Sequence, residues 1–517
     1  MRHDLVVALV LVVAVVIGGT SHNSHNGTIL FTNLAVNHLK NPIGIDTPKP
    51  RLRWSLYCTA TAHSHSTKGC GVVAAYRVMV ASEKADLTFV THMRDVRRKP
   101  DMWDSGVIQG SELSVKYQGE TLHSRKLCYY RIQLFDMSNE TYISPIGYFE
   151  MGLLDKKAWK GSNWISRTND KSVEEAPYLR KHFTLPTNVT ATSASATVSR
   201  ARLYMSGLGF ARVLLNGKHI TKNVMDPTFT RYDKRVLYTT YDITKAIQTG
   251  FSNMSSSSSS FIIGVILGNG WFNHITETVW DYYRAPWRAA PKMLLQLYVE
   301  YSDGSNNIIS SDLSWETRSG PLVRNCLYGG EVYSFDLEDD LGAWADLPRS
   351  KGAEAVEEGT DSSTQEGAGG GGGEWRKVIL ASPPKGRVVA DSAQPIKYTR
   401  RLTAKRVIKQ GGGADGESSW YLVDFGENIA GGIELTLPPG LFSAPNTTNL
   451  TPNNLNSYNN TDIILKFSEV LYKDHLWVRD LRAGKKNETQ PFAEVRLIPP
   501  SPRRGEGAAE EQEKEKE

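Results

Sequence analysis

The chain has 517 residues, room for three to four domains at about 150 residues each. Hydrophobic residues make up 40% and charged residues 22%, and 60 basic side chains exceed 55 acidic ones by a net charge of only +5. That balance excludes a polytopic membrane protein, a wholly disordered chain and a nucleic-acid partner bound through a basic face, and four cysteines exclude a disulfide-dense scaffold.

The basic start Met1-Arg2-His3, the apolar run from Leu5 to Ile17 and the small residues Gly18-Gly19-Thr20-Ser21 have the layout of a signal peptide over residues 1–21. The run is too short to span a bilayer comfortably, so no stable membrane insertion is expected after cleavage. Asn-x-Ser/Thr acceptors at Asn26, Asn139, Asn188, Asn253, Asn446, Asn449, Asn459 and Asn487 agree with a secreted or extracellular, glycosylated protein. There Cys58, Cys70, Cys128 and Cys326 allow three pairings, and their spacing does not fit zinc.

Most of the remaining chain reads as short strands. Tyr76, Val78 and Val80 alternate, as do Tyr130, Ile132 and Leu134. Val213 and Leu215 run into Asn216-Gly217, a two-residue hairpin signal, and the apolar run Phe261 to Leu267 stops at Gly268-Asn269-Gly270. Met293, Leu295, Leu297 and Val299 alternate up to the Asp303-Gly304 turn, with Ile308-Ile309 on the return. Ile433, Leu435 and Leu437 alternate before Pro438-Pro439-Gly440, and Ile463 to Phe467 forms a further strand. Without long amphipathic helices, this spacing implies an all-β chain of tandem β-sandwiches. Composition shifts place domains at 28–155, 160–350 and 375–490. Ser255 to Ser260, the linker at 351–374, Gly411 to Gly413 and Asn446 to Asn460 are expected as flexible insertions, and the charged tail 491–517 as disordered.

No catalytic residue emerges from local motifs. His63-Ser-His65 lies in a Ser/Thr-rich loop, and His274-Ile-Thr-Glu277 has only one histidine where a helical zinc site needs two. Gly207-Leu-Gly209 is no dinucleotide fingerprint, and the run Asp336, Glu338, Asp339, Asp340 reads as a solvated loop rather than paired glycosidase carboxylates. One region has the composition of a sugar site, where flat aromatic faces meet C–H groups and amides meet hydroxyls. Its candidates are Asn269, Trp271, Asn273, Trp280 and Tyr282, with Asp281, Tyr283 and Trp287 beside them. The same aromatics equally fit a sandwich core or a domain interface.

Longer motifs carry a resemblance. Ser206-Gly207-Leu208-Gly209-Phe210, Met225-Asp226-Pro227-Thr228-Phe229, Leu267-Gly268-Asn269-Gly270-Trp271-Phe272-Asn273, Tyr328-Gly329-Gly330-Glu331 and Val423-Asp424-Phe425-Gly426-Glu427 succeed one another in order. Upstream stand Asn41-Pro42-Ile43-Gly44, Trp103-Asp104-Ser105-Gly106 and Phe149-Glu150-Met151-Gly152. Together they resemble the N-terminal β-domains of the bacterial-type α-L-rhamnosidases over most of residues 30 to 485. The resemblance implies a fibronectin-III-like, a jelly-roll-like and a concanavalin-like sandwich, and inverting hydrolysis of terminal α-L-rhamnosides in the complete family architecture. It implies rhamnose-containing glycans or glycosides as partners, and calcium on the jelly-roll-like domain, for which Asp226 and Asn269 offer oxygen ligands. No cofactor is otherwise required. The family's acids lie in an α/α barrel that the resemblance does not reach, so the chain is expected to be the non-catalytic portion. The alternatives are a secreted rhamnose-binding protein and a surface glycoprotein without sugar affinity. Against the family pattern Glu427 stands for Gln, Gly432 for Trp and Gly329 for Asp.

Overall fold

A computed structural model describes residues 28–59, 72–88, 100–138, 140–186, 197–252, 258–276, 281–347, 373–410, 420–436, 463–467, 470–472, 475–477 and 493–498. Strands dominate, and the α-helices among the described residues are Thr244–Ser252 and Phe335–Leu341. No helix among them is long and apolar enough to cross a membrane. The fold divides into two units, one of Met1–Asn41, Lys49–Thr121 and Cys128–Tyr148, the other of Pro42–Pro48, Leu122–Leu127 and Phe149–Glu517.

The first unit is a two-sheet sandwich. Thr28–Val36, Arg51–Thr59 and Ser114–Lys116 form one sheet, and Trp103–Asp104, Val73–Ala81, Leu127–Asp136 and Thr141–Ile143 the other. The alternations at Tyr76, Val78, Val80 and at Tyr130, Ile132, Leu134 are both strands, with Val78 paired to Ile132, and all six side chains are buried. Trp54 of one sheet packs on Tyr76 of the other with ring centroids 5.5 Å apart.

In the second unit two larger sheets enclose the main core. The first runs Ile379–Leu380, Ile165–Ser166, Lys292–Tyr301, Val198–Leu208, Arg235–Asp242, Arg387–Ala390, with Asn306–Ser310 also on Lys292–Tyr301. The second runs Lys218–His219, Phe210–Leu215, Ser258–Gly268, Tyr178–Pro186, Glu316–Arg318, Arg376–Lys377. Leu203, Met205, Leu295, Leu297 and Val299 meet Phe183, Val213, Phe261, Ile263, Val265 and Trp315 between them. Each such side chain contributes about 1.5–3 kcal/mol by leaving water. The other face of the first sheet is covered as well, by Trp159, Trp164, Tyr232 and Phe272 against Tyr204, Tyr238 and Leu294. Burial on both faces is why Val198–Leu208 reads as a nearly unbroken apolar run after Arg202.

The expected Asn216-Gly217 hairpin forms. Leu215 pairs with Lys218, and both turn residues have positive φ, 48° and 73°, the backbone a two-residue turn of this kind demands. A Cβ on Gly217 would lie 1.5 Å from Asp346 Oδ1. Gly217→Ala is therefore expected to cost more than about 1 kcal/mol in urea unfolding, because positive φ and lack of space both oppose the methyl group.

Several boundaries differ from the sequence expectation. The segment after the 351–374 linker does not open a third sandwich. Arg376–Lys377 pairs with Thr317 and Glu316, Ile379–Leu380 with Ser166 and Ile165, Arg387–Ala390 in parallel with Arg235 to Tyr238, and Ile396–Lys397 with Val224 and Asn223. The chain returns to cover edges of the second sandwich, so that domain extends past 350 to about 397. Ser258 to Ser260, expected as flexible, pair with Pro186 to Thr184 and begin a strand. The acidic run at 336–340 lies in the helix Phe335–Leu341, not in a loop. Ile433 and Leu435 belong to no strand and are exposed. Within the expected tail, Ala493–Ile498 is a strand, parallel to Gly330–Ser334 and antiparallel to Ile463–Phe467. All eight candidate glycosylation asparagines, the leader, His63, His65, Cys70 and residues 351–372 lie outside the described residues.

An ion network joins the strands on the outer face of the first large sheet. Arg200 lies directly opposite Glu300 and donates to it from Nε at 2.8 Å, while its NH1 donates to Arg125 O at 3.1 Å. Arg202 donates through Nε to both oxygens of the fully buried Glu150 at 3.0 and 3.2 Å, and pairs with Asp242 at 2.7 Å. Arg125 places its guanidinium 4.9 Å from the Tyr298 ring. Burial pushes the Glu150 carboxyl up from its ordinary value, and the charges and hydrogen bonds of Arg202 and Arg200 pull it back.

Candidate functional site

Strand Ser258–Gly268 ends at Gly268-Asn269-Gly270, where the chain leaves the sheet and enters a tight loop. Gly270 has φ +50°, and the Gly209 N–H donates to Gly268 O at 3.0 Å. A Cβ on Gly209 would sit 2.3 Å from Asn269 O, so the 207–210 turn lies flush on this loop only because that residue is glycine. Gly209→Ala is expected to lower stability by about 1–3 kcal/mol through overpacking, read as a drop in the urea midpoint.

The loop presents an aromatic cluster. Trp271 lies 4.9 Å from Phe229 and 5.7 Å from Phe210, and its indole N–H donates to Tyr328 OH at 3.3 Å. Tyr282 stands 5.7 Å from Phe229 and 6.5 Å from Trp287, whose own indole donates to Trp271 O at 3.2 Å. Phe229, Trp271, Tyr282, Trp287 and Tyr328 are half-buried, over a buried floor of Tyr232, Phe272 and His274. The buried Tyr232 hydroxyl has no hydrogen-bond partner among the described residues. The structure thus brings Trp271, Tyr282 and Trp287 together. Trp280 lies outside the described residues.

Asn269 and Asn273 are corrected from sugar ligands to framework. Both are fully buried. Asn269 Nδ2 donates to Glu174 O at 2.9 Å and Asn325 O at 3.0 Å, its backbone N–H donates to Asn325 Oδ1 at 2.7 Å, and its Oδ1 accepts from Asn273 Nδ2 at 2.8 Å. Asn273 Oδ1 in turn accepts from Arg288 Nε at 2.9 Å. A buried amide with its oxygen and nitrogen engaged orders the loop backbone and has nothing to offer a hydroxyl outside.

The calcium pair does not fit either. Asp226 is buried, its Oδ2 accepts from Asn223 Nδ2 and Tyr241 OH, each at 2.9 Å, and burial raises its carboxyl above the usual range. Asn269 Oδ1 is already taken by Asn273, and the two candidates share no hydrogen-bond partner among the described residues. Calcium demands six to eight converging oxygens. Among the described residues no group of three or more His, Cys, Asp or Glu side chains could hold a metal ion.

One pairing had no signal in the sequence. His274, half of an incomplete zinc motif there, is buried with its Nδ1 3.8 Å from Cys326 Sγ, and Thr276 Oγ1 stands 3.3 Å from both His274 Nε2 and the same sulfur. Burial pushes the Cys326 thiol up, but the hydrogen bonds with His274 and Thr276 outweigh it and bring it down to about 6. The family departures also find places. Glu427 pairs with Arg400, Gly329 lies against Thr276 and Cys326, and a Cβ on Gly432 would meet Tyr398 OH at 2.7 Å. The acidic helix leaves Asp340 bound to Arg318.

Comparison with known proteins places these domains. Residues 31–155 match the family model described as Rha78A-like, N-terminal immunoglobulin domain, and residues 196–400 that of the alpha-L-rhamnosidase N-terminal domain. An alpha-L-rhamnosidase of Formosa agariphila is 29% identical over 427 residues, 79% of this chain and 39% of the relative, and one of an Alteromonas species is 28% identical over 414 residues, 77% and 37%. The structure of alpha-L-rhamnosidase from Dictyoglumus thermophilum superimposes with a TM-score of 0.62 at 25% identity, covering 91% of this chain and 44% of that one. The Streptomyces avermitilis alpha-L-rhamnosidase complexed with L-rhamnose shares the fold, with a TM-score of 0.59 at 19% identity over 91% of this chain and 53% of that one. The chain thus spans about two fifths of the curated relatives it matches, and the second match ends at 400, close to the end of the returning strands. Over residues 31–155 and 196–400 the chain is thus similar to the immunoglobulin-like and N-terminal domains of α-L-rhamnosidases.

Proposed function

We propose that this chain is the carbohydrate-handling, non-catalytic β-domain portion of an α-L-rhamnosidase, a hydrolase of terminal α-L-rhamnosides. The match of residues 196–400 to the family's N-terminal domain carries the reading, because the half-buried Trp271 cluster lies inside it. Trp271, Tyr282 and Trp287 offer the flat apolar faces on which a deoxysugar's C–H groups pack, and rhamnose-containing glycans are the ligands. Inverting hydrolysis needs an acid and a base on opposite sides of the bond, about 6.5–9.5 Å apart. Incubated with an aryl α-L-rhamnoside, the chain is expected to release no phenol while retaining rhamnose affinity. Turnover by the purified chain would overturn the non-catalytic reading.

The apolar leader and the eight acceptor asparagines support a secreted glycoprotein. Produced in a eukaryotic secretory host, the chain is expected in the medium and to lose mass on removal of N-linked glycans. Retention in the cell without glycan would contradict secretion.

A further inference from the structure

Cys326 is buried, and polar groups surround its sulfur. Its sulfur faces the His274 imidazole at 3.8 Å and the Thr276 hydroxyl at 3.3 Å, and that hydroxyl also meets the far nitrogen of the same ring. The Tyr328 ring stands edge-on to His274 at 5.4 Å and holds the imidazole from another side. A Cβ on Gly329 would lie 3.0 Å from the sulfur and 2.7 Å from Thr276 Cγ2. Glycine at 329 therefore adds no side chain of its own beside the sulfur. Buried structural cysteines in apolar surroundings are inert, whereas a thiol paired with an imidazole and a hydroxyl is a nucleophile.

We propose that Cys326 is a modification site, oxidised to the sulfenic acid by small hydroperoxides, with His274 holding and delivering the proton. The sulfur, its proton passed to the imidazole, attacks one peroxide oxygen. The O–O bond breaks as the S–O bond forms, the sulfur gives up two electrons, and the leaving hydroxide takes the imidazolium proton. Thiolate, imidazolium and hydrogen peroxide thus become sulfenic acid, neutral imidazole and water, and a thiol reductant restores the starting state.

The test treats the whole chain with hydrogen peroxide and a sulfenic-acid trap, and tracks each cysteine peptide by mass spectrometry. Cys128, fully buried in the first unit, is the internal reference. Cys326 is expected to be trapped at least about tenfold faster than Cys128, an excess that disappears in urea. His274→Asn is expected to remove most of it, and Thr276→Val to reduce it severalfold with the imidazole intact. Trapping of Cys326 no faster than Cys128 would overturn the proposal, as would an excess that persists in urea or survives both substitutions. Should His274→Asn fail to fold, Thr276→Val and the urea comparison still decide.

Discussion

Replacing Glu150 with alanine is expected to lower the unfolding free energy of the second unit by about 3–5 kcal/mol, among the largest losses any single side chain here will show. Glu150 is fully buried, accepts from Arg202 and lies 3.5 Å from Arg200, so its removal strands the Nε side of the Arg202 guanidinium and takes a countercharge away from Arg200. Arg202 keeps Asp242 and Thr244 at NH1, which do not satisfy the nitrogens that faced Glu150, while Arg200 keeps Glu300 and the Arg125 carbonyl. The attraction of the pair is largely offset by its own desolvation, so the loss measures the stranded charges and not the value of the pair. Glu150→Gln keeps an acceptor and is expected to lose less. Urea unfolding monitored by tryptophan fluorescence gives the comparison, and a loss under about 1 kcal/mol for the alanine variant would show that water reaches the network.

Asn269→Ala is expected to cost about 3 kcal/mol or more, because the carbonyls of Glu174 and Asn325 and the amide of Asn273 all lose a partner in a buried site at about 1–3 kcal/mol each. Trp271→Ala is a contrasting case. Its ring is half-buried, so truncation is expected to take away sugar affinity by about tenfold or more, or about 1.4 kcal/mol of binding, while the sandwich stays folded. The two substitutions separate framework from surface within one short loop. Equal small stability losses for both, with equal loss of binding, would mean that Asn269 is reached by ligand after all.

Period and turn chemistry account for the part of the fold that was legible in the sequence. Alternation at Val78 and Ile132, or at Leu295 and Leu297, marks strands whose inner face is buried, and Asn216-Gly217 marks a turn that few other pairs can make. The returning strands were not legible because Arg376–Lys377 and Ile379–Leu380 have two residues each, too few for any period, and an insertion separates them from their partners. Ser258 to Ser260 carry no apolar pattern, and their strand state comes from pairing along Thr184 to Pro186. For the site, composition located the aromatic loop but not the direction of its side chains. An asparagine beside a tryptophan looks the same whether it faces solvent or, like Asn269, the loop's own backbone. The Cys326–His274 contact joins residues 52 positions apart, and only the fold brings them together.

The proposed rhamnose-binding surface is the Trp271 cluster, acting without calcium. Titration calorimetry of the whole chain with L-rhamnose, in calcium and again in EDTA, decides the matter. Saturable heat of the same affinity is expected in both buffers, weakened about tenfold or more by Trp271→Ala. No heat in either buffer, binding that requires calcium, or full affinity in the Trp271→Ala chain would contradict it.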